Sequence, residues 1–329
     1  MTGLRIAVVQ GGPSSEAEVS RSSASGVSRA LEEAGHAVTR LELSRDLPAA
    51  LLGQGFDVVF PVVHGAVGED GSLQGLLEVL ALPYVGSGVL ASATAMDKRT
   101  ARILFAAAQL PIARGLALPR GDARAAARKA RAEIGGRLVV KPASSGSAIG
   151  VARLEASASE DAVAAAFEQA WALDGLAIVE HFAKGREITC SVLDVEGAPR
   201  ALAATEIEAP SDAFYTYEAR YAPGRSAHTC PARLGDALTA RVHEVSLAAH
   251  VVLGCRDLSR VDFVIGDAGA PDAVTLLEVN TMPGMTATSL YPEAAAAAGM
   301  SFSALCDTLV QAARKRGIAT RNAPIPLPR

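Results

Sequence analysis

The stretch Ser259-Arg-Val-Asp-Phe-Val-Ile265, followed by Thr275-Leu-Leu-Glu-Val-Asn-Thr-Met-Pro-Gly284, decides the reading of this chain. Each half is rich in branched apolar residues, and a Gly/Pro/Asp-rich turn separates them, which predicts two adjacent β-strands. Alternation places Glu278 and Asn280 on one face of the second strand, about 7 Å apart. An even register brings Asp262, on the preceding strand, opposite Glu278. Two carboxylates and an amide oxygen with no His or Cys beside them suit a hard cation such as Mg2+ better than zinc. Mg2+ keeps part of its shell for water and substrate phosphates, so the cluster points to a nucleotide partner. Three polar residues on the solvent face of a hairpin is the alternative that this stretch alone leaves open.

The 329 residues exceed one ordinary core and suit two or three domains. A net charge of −4 and the lack of a long basic block argue against nucleic acid as a partner. Cys190, Cys230, Cys255 and Cys306 are scattered, with neither zinc spacing nor a disulfide framework. Residues 1–9 read as a first strand rather than a signal peptide, and no apolar run reaches transmembrane length. A cytoplasmic chain with no membrane partner is expected.

Around the hairpin, β-α-β alternation over residues 1–95 predicts a small doubly wound parallel sheet with strands at 4–9, 36–43 and 57–63. Ser15-Glu-Ala-Glu18 has capping-box spacing, so a helix is expected from there to about Ala34, with Gly35 after it. Ligands gather at the carboxyl ends of such strands, which makes Glu16 and His64 candidates for touching a substrate. Glu16 on its own reads more readily as a first-turn acid favoured by the helix dipole, and His64 equally as a plain loop histidine. Neither Gly-x-Gly-x-x-Gly nor the Walker pattern is present, so a nicotinamide or P-loop site is not expected.

A second unit, residues 96–183, contains the loop Pro142-Ala-Ser-Ser-Gly-Ser-Ala-Ile-Gly150 between two strands. Its Ser144, Ser145, Gly146 and Ser147 offer unhindered backbone N–H groups for an anion, and Lys141 precedes them as a point charge suited to phosphate. His181-Phe182-Ala183 links two strands as a hinge, with Glu180 and Glu187 available to amino or ribose hydroxyl groups. The third unit, 184–318, holds the aromatic segment Phe214-Tyr-Thr-Tyr-Glu-Ala-Arg-Tyr221, long and irregular enough to suggest a functional flap. It also holds a helix at 235–253, the hairpin, and a closing helix at 303–315. Residues 319–329 are expected to be a disordered tail.

Taken in order, Gly11-Gly-Pro-Ser-Ser-Glu-Ala-Glu-Val-Ser20, His64-Gly65, Gly68-Glu-Asp-Gly71, Gly86-Ser-Gly88, Met96-Asp-Lys98, Lys141-Pro142, the 214–221 segment, Arg260-Val-Asp262 and Glu278 through Thr286 form a specific set. The chain resembles the D-alanine–D-alanine ligases of the ATP-grasp superfamily over about residues 4 to 315. The resemblance implies an ATP-grasp fold preceded by a small doubly wound parallel-sheet domain, α/β with an α+β C-terminal part. It implies ligation of two D-alanines with ATP and two Mg2+ ions, Mn2+ being possible, for peptidoglycan precursors. Lys98, Lys141 and Arg220 would hold phosphates, with the 144–150 loop over the γ-phosphate. Glu180, His181, Phe182 and Ala183 would meet adenine, and Glu187 the ribose. Asp262, Glu278 and Asn280 would hold the metals. Arg260 and the Gly284 backbone would stabilise an oxyanion. Ser289 and Leu290 would bind the second D-alanine's carboxylate, and Glu16, Ser147 and Tyr221 would surround the first one's ammonium. The resemblance also implies a homodimer. A D-lactate or D-serine acceptor is the alternative within the fold, and Tyr221 favours the dipeptide. A non-catalytic nucleotide-binding relative is the alternative outside the class.

Overall fold

The computed structural model describes residues 3–208, 227–266, 273–286 and 288–318. The flap with Arg220 and Tyr221, the turn of the metal hairpin and the 319–329 tail lie outside the described residues. Strands β1 (Arg5–Gln10), β2 (Ala37–Glu42) and β3 (Val58–Pro61) form a parallel sheet in the order β2-β1-β3. Along β1, Ile6 and Val8 enter one apolar core while Ala7 and Val9 enter another, the two-sided burial of a doubly wound sheet. One face is covered by α1 (Ala17–Glu33) and, from the far end of the chain, by α10 (Phe302–Arg316) through Leu305, Leu309 and Val310. The other is covered by α2 (Leu47–Gly53) and α3 (Ser72–Val79).

The start of α1 departs from expectation. No capping box forms: the Glu16 side chain caps nothing, and Glu18 pairs with Arg21 one turn on. Instead the Ser14 hydroxyl accepts from the Glu16 N–H (3.2 Å) and donates to the His64 carbonyl (2.7 Å). Ser20 donates to the Val62 carbonyl (2.7 Å). These bonds fasten the helix start to the end of β3 and leave the Glu16 carboxylate for a distant partner.

After α4 (Val89–Met96) and α5 (Lys98–Ala107), a second sheet is antiparallel. Its order is β4 (Gly115–Pro119), β7 (Leu176–His181), β5 (Leu138–Pro142), β6 (Ala152–Leu154). It lies on α6 (Ala123–Glu133) and α7 (Glu160–Leu173), capped by the Asp122 and Ser159 side chains, with Phe167 and Trp171 in a core of its own. The third sheet, also antiparallel, runs β10 (Ala227–Thr229), β9 (Ala198–Glu208), β8 (Arg186–Val195), β11 (Asp257–Ile265), β12 (Val274–Asn280). It rests on α8 (Asp236–Leu253), and α9 (Leu290–Ala297) follows β12.

The expected register is observed, with Asp262 paired to Glu278 and Arg260 to Asn280. A β-bulge follows Asp262, so that Phe263 pairs with Leu276. The extra residue, Leu277, breaks strict alternation. Leu276 stays in the core while Leu277 and Glu278 both reach the opposite face.

Buried polar groups join the first and third sheets. Asp257, 2% exposed, accepts from the Gly86 N–H (2.7 Å) and from Arg316 at the end of α10. Arg316 also donates to the Tyr84 carbonyl (2.8 Å), and Arg256 to that of Gly86 (2.8 Å). Beneath β11, His250 Nδ1 lies 2.8 Å from Ser259 Oγ, and Nε2 lies 3.4 Å from Asp194.

Burial holds the His250 imidazole below its ordinary value, against the pull of Asp194. The unfolded chain takes up that proton near pH 6.5, so the stability His250 supports is complete above about pH 6.5 and is lost as the pH falls. Acidification from about pH 8 to about pH 5.5 is expected to lower the Tm more steeply in the wild type than in His250→Gln, which keeps a donor and an acceptor. Parallel slopes would contradict this.

Candidate active site

Three contiguous lobes lie between the sheets. The first sits between the second and third sheets. Asp97 caps α5, accepting from the Thr100 N–H (2.7 Å), and this sets Lys98 at the helix start. Lys98 Nζ donates to the Ser145 carbonyl (2.6 Å) and lies 3.4 Å from the Glu278 carboxylate. Lys141, buried on β5, pairs with Glu180, whose other oxygen accepts from Arg102 (2.8 Å). Glu180 thus serves as counter-ion to two cations at the lobe wall. Val139, Ile149, Val151, Val264 and Leu277 give the lobe apolar walls. Phe182 presents its ring beneath Arg137 and Arg153, 4.1 and 4.9 Å from the centroid, and Arg153 lies 3.3 Å from Glu187. Apolar walls with lysines toward one end match a purine slot leading to a phosphate site. Of the residues assigned to nucleotide by resemblance, Lys98, Lys141, Ser145, Glu180, His181, Phe182, Ala183 and Glu187 line this lobe. Ser144 is exposed and gives its N–H to Asp174 (2.8 Å).

The second lobe shares Lys98 and Glu278 with the first. Gly146 and Ser147 line this lobe rather than the first. Ser147 and Ala148 hold left-handed backbone at φ 50° and 55°, uncommon for residues with a side chain. The turn carries the Ser147 hydroxyl to the Glu16 carboxylate, across 131 residues of sequence. Arg260 donates to Asp262 through Nε and Nη2, both at 2.8 Å, and Thr189 donates to the same carboxylate (2.7 Å). Asn280 Oδ1 accepts from the Met282 N–H (2.9 Å). His64 is buried at the lobe wall, its Nε2 without a hydrogen bond among the described residues. Burial lowers its pKa, although the Glu16 charge opposes that.

The third lobe, about 390 Å³, shares Arg260 and Gly284 with the second. Ser289 and Leu290 line it at the N-terminus of α9, with the Ser289 hydroxyl 2.7 Å from that of Thr286. Backbone N–H groups at a helix start suit a carboxylate.

Asp262, Glu278 and Asn280 offer only oxygen, from paired positions of one sheet face, which fits a hard cation. Asp262 Oδ1 already accepts from both Arg260 Nε and Thr189, so a cation at Asp262 would draw on Oδ2 or displace one of these bonds. No cluster of three His, Cys, Asp or Glu side chains suited to a metal occurs among the described residues, and a donor set on this hairpin would need the Asn280 amide as its third member.

Sequence reasoning assigned no role to Arg102, Arg153, Leu277 or Glu69. The first three enter through tertiary pairing or the bulge, which no spacing announces. Glu69 stands inside the quoted Gly68-Glu-Asp-Gly71 motif, and this was the available signal. It accepts from the Gly65 N–H (2.5 Å) and lines the second lobe.

An apolar-walled slot between two antiparallel sheets, leading to lysines and an oxygen-rich hairpin, is the arrangement of an ATP-grasp ligase. The family models agree: residues 104–311 match the D-ala D-ala ligase C-terminus and residues 48–87 the D-ala D-ala ligase N-terminus. The D-alanine–D-alanine ligase of Acidiphilium cryptum is 44% identical over 314 residues, 95% of this chain and 99% of its own. The crystal structure of the Bacillus anthracis D-alanine–D-alanine ligase complexed with ATP superposes with a TM-score of 0.78 at 29% identity, covering 95% of this chain and 99% of that one. The VanG D-Ala:D-Ser ligase of Enterococcus faecalis superposes with a TM-score of 0.80 at 29% identity, over 95% and 100% of the two chains. The chain belongs to the D-alanine–D-alanine ligase family, an enzyme family of ATP-dependent ligases.

Burial pushes the Glu69 carboxyl up to about 8, reinforced by the Glu16 and Glu278 charges and opposed by the Gly65 bond and Arg260. The folded protein therefore holds a proton that the unfolded chain releases near pH 4.5, and Glu69 costs stability progressively as the pH rises toward about 8. In the ligand-free protein, Glu69→Gln should raise the Tm at about pH 8 to 9 and change it little near pH 4.5. A Tm difference independent of pH would contradict this.

Proposed function

We propose that the chain joins two D-alanines into D-alanyl-D-alanine while converting ATP to ADP and phosphate, in the cytoplasm, for peptidoglycan precursors. The observation that carries this is the continuity of the lobes, nucleotide to donor through Lys98 and Glu278, donor to acceptor through Arg260 and Gly284. Three reactants can lie in line without moving between sites.

A carboxylate is a poor electrophile. In this reading its oxygen attacks the γ-phosphorus, ADP leaves, and an acyl phosphate remains. The second amine then attacks the acyl carbon, and phosphate departs with that oxygen. Neither step needs a covalent nucleophile on the protein, only positioning and charge neutralisation. Lys98, Lys141 and Arg220 hold the phosphates. Asp262, Glu278 and Asn280 would hold two Mg2+ ions, or Mn2+, which would offset phosphate charge. The 144–150 loop folds over the transferred phosphate. Glu16, with Ser147 and Tyr221, takes the donor ammonium. Buried, neutral His64 lines the donor lobe without adding charge. Arg260 and the Gly284 N–H face the oxygen that gains charge. Ser289 and Leu290 take the acceptor carboxylate. Exposed Val79, Val89 and Leu90 on α3 and α4 support a homodimer.

The test is ADP release that depends on D-alanine, with the dipeptide identified by mass, and D-serine and D-lactate as competing acceptors. D-alanine-dependent ADP release with dipeptide as the main product is expected. ADP release without dipeptide, or a preferred hydroxy-acid product, would contradict the reading.

A further inference from the structure

At the edge of the acceptor lobe an imidazole faces a carboxylate, and neither has a part in the steps above. Glu293 lies in the first turn of α9, and its N–H donates to the Ser289 carbonyl (3.1 Å). Residues four apart on a helix share a face, with Cβ atoms about 5–6 Å apart. The Glu293 carboxylate therefore stands one turn from Ser289 on the same face. If an anionic acceptor docks at Ser289 and Leu290, a bare carboxylate there repels it by an amount worth several-fold in affinity. Glu293 Oε2 is buried and makes no hydrogen bond among the described residues. What faces it is His228 on edge strand β10, with Nδ1 at 3.5 Å. His228 lines the same cavity as Arg260, Ser289 and Leu290 and is 19% exposed, so solvent screens the pair only in part. Glu293 itself stands behind the cavity wall, and the carboxylate that lines it, Glu18 of α1, already has Arg21 as partner.

We propose that His228 is an acceptor-recognition residue. The positive side of its imidazole masks Glu293 and lets the cavity admit an acceptor carboxylate at the start of α9. The inference rests on the reading of the third lobe as the acceptor site. It makes a titratable side chain outside the phosphate and metal machinery a determinant of acceptor affinity.

Steady-state kinetics that separate the two D-alanine sites test it. His228→Gln and His228→Phe should raise the acceptor KM about three- to tenfold, with donor KM, ATP KM and kcat within about twofold of wild type. The double variant His228→Gln/Glu293→Gln has no charge left to mask, and its acceptor KM should return to within about twofold of wild type. An unchanged acceptor KM in a folded His228 variant overturns the proposal, as does a double variant no better than the single. Should the His228 variants fail to fold, Glu293→Gln alone decides, with an equal or lower acceptor KM expected and a higher one contradicting. Absence of dipeptide from the wild type would instead overturn the functional reading.

Discussion

Asp262 stands opposite Glu278 across two antiparallel strands, and most of the site follows from that pairing. A slip of one residue would turn Arg260, Asp262, Glu278 and Asn280 into the core and bring Val261 and Val279 to the ligand face. Core packing forbids the slip, because Val261, Phe263, Leu276 and Val279 are buried against α8. Hydrophobic burial thus sets the register, and the register sets the chemistry. The bulge adds a second consequence: Leu277 and Glu278 face the site side by side, one walling the slot and one at the junction of two lobes.

The hairpin alone would bring like charges together. Arg260 offsets Asp262 with two charge-assisted hydrogen bonds, and Lys98 offsets Glu278 while holding the Ser145 carbonyl. Lys98 therefore couples the hairpin of the third sheet to the loop of the second. Lys141, Glu180 and Arg102 form a comparable chain that ties α5 to the second sheet. Asp257, Arg316 and Gly86 tie the first sheet to the third. Glu16 and Ser147 close the ring between the first and second sheets. Each sheet thus contributes to a site that none could form alone.

Much of this was legible in the sequence, because the elements that matter carry strong local signals. Branched apolar residues around Asp262 and Glu278 announced the hairpin, and Gly35 announced the end of α1. What escaped has tertiary causes. Strand β9 contains Pro199 and four alanines, poor strand formers that pair because β8 and β10 flank them. Its one local cue was Glu196-Gly197, left-handed at both residues as a tight hairpin turn requires. Short α9 was hidden by Pro292 and an alanine run, although its start, Ser289-Leu290, was singled out. The capping box at Ser15 misled because Arg21 and Ser147 gave the two glutamates other partners. Glu69 and Arg102 lie far in sequence from what they touch or face, and spacing carries no such information.

In the proposed reaction, oxygen donors on β11 and β12 hold a divalent cation beside the phosphates. Mn2+ binding read by EPR in the presence of ATP tests it most directly, comparing wild type with Glu278→Gln. The substitution removes a charge and leaves the shape. The account predicts bound Mn2+ in the wild type and affinity weaker by at least about tenfold in the variant, with ATP still able to bind. Equal Mn2+ affinity in the two proteins would contradict it.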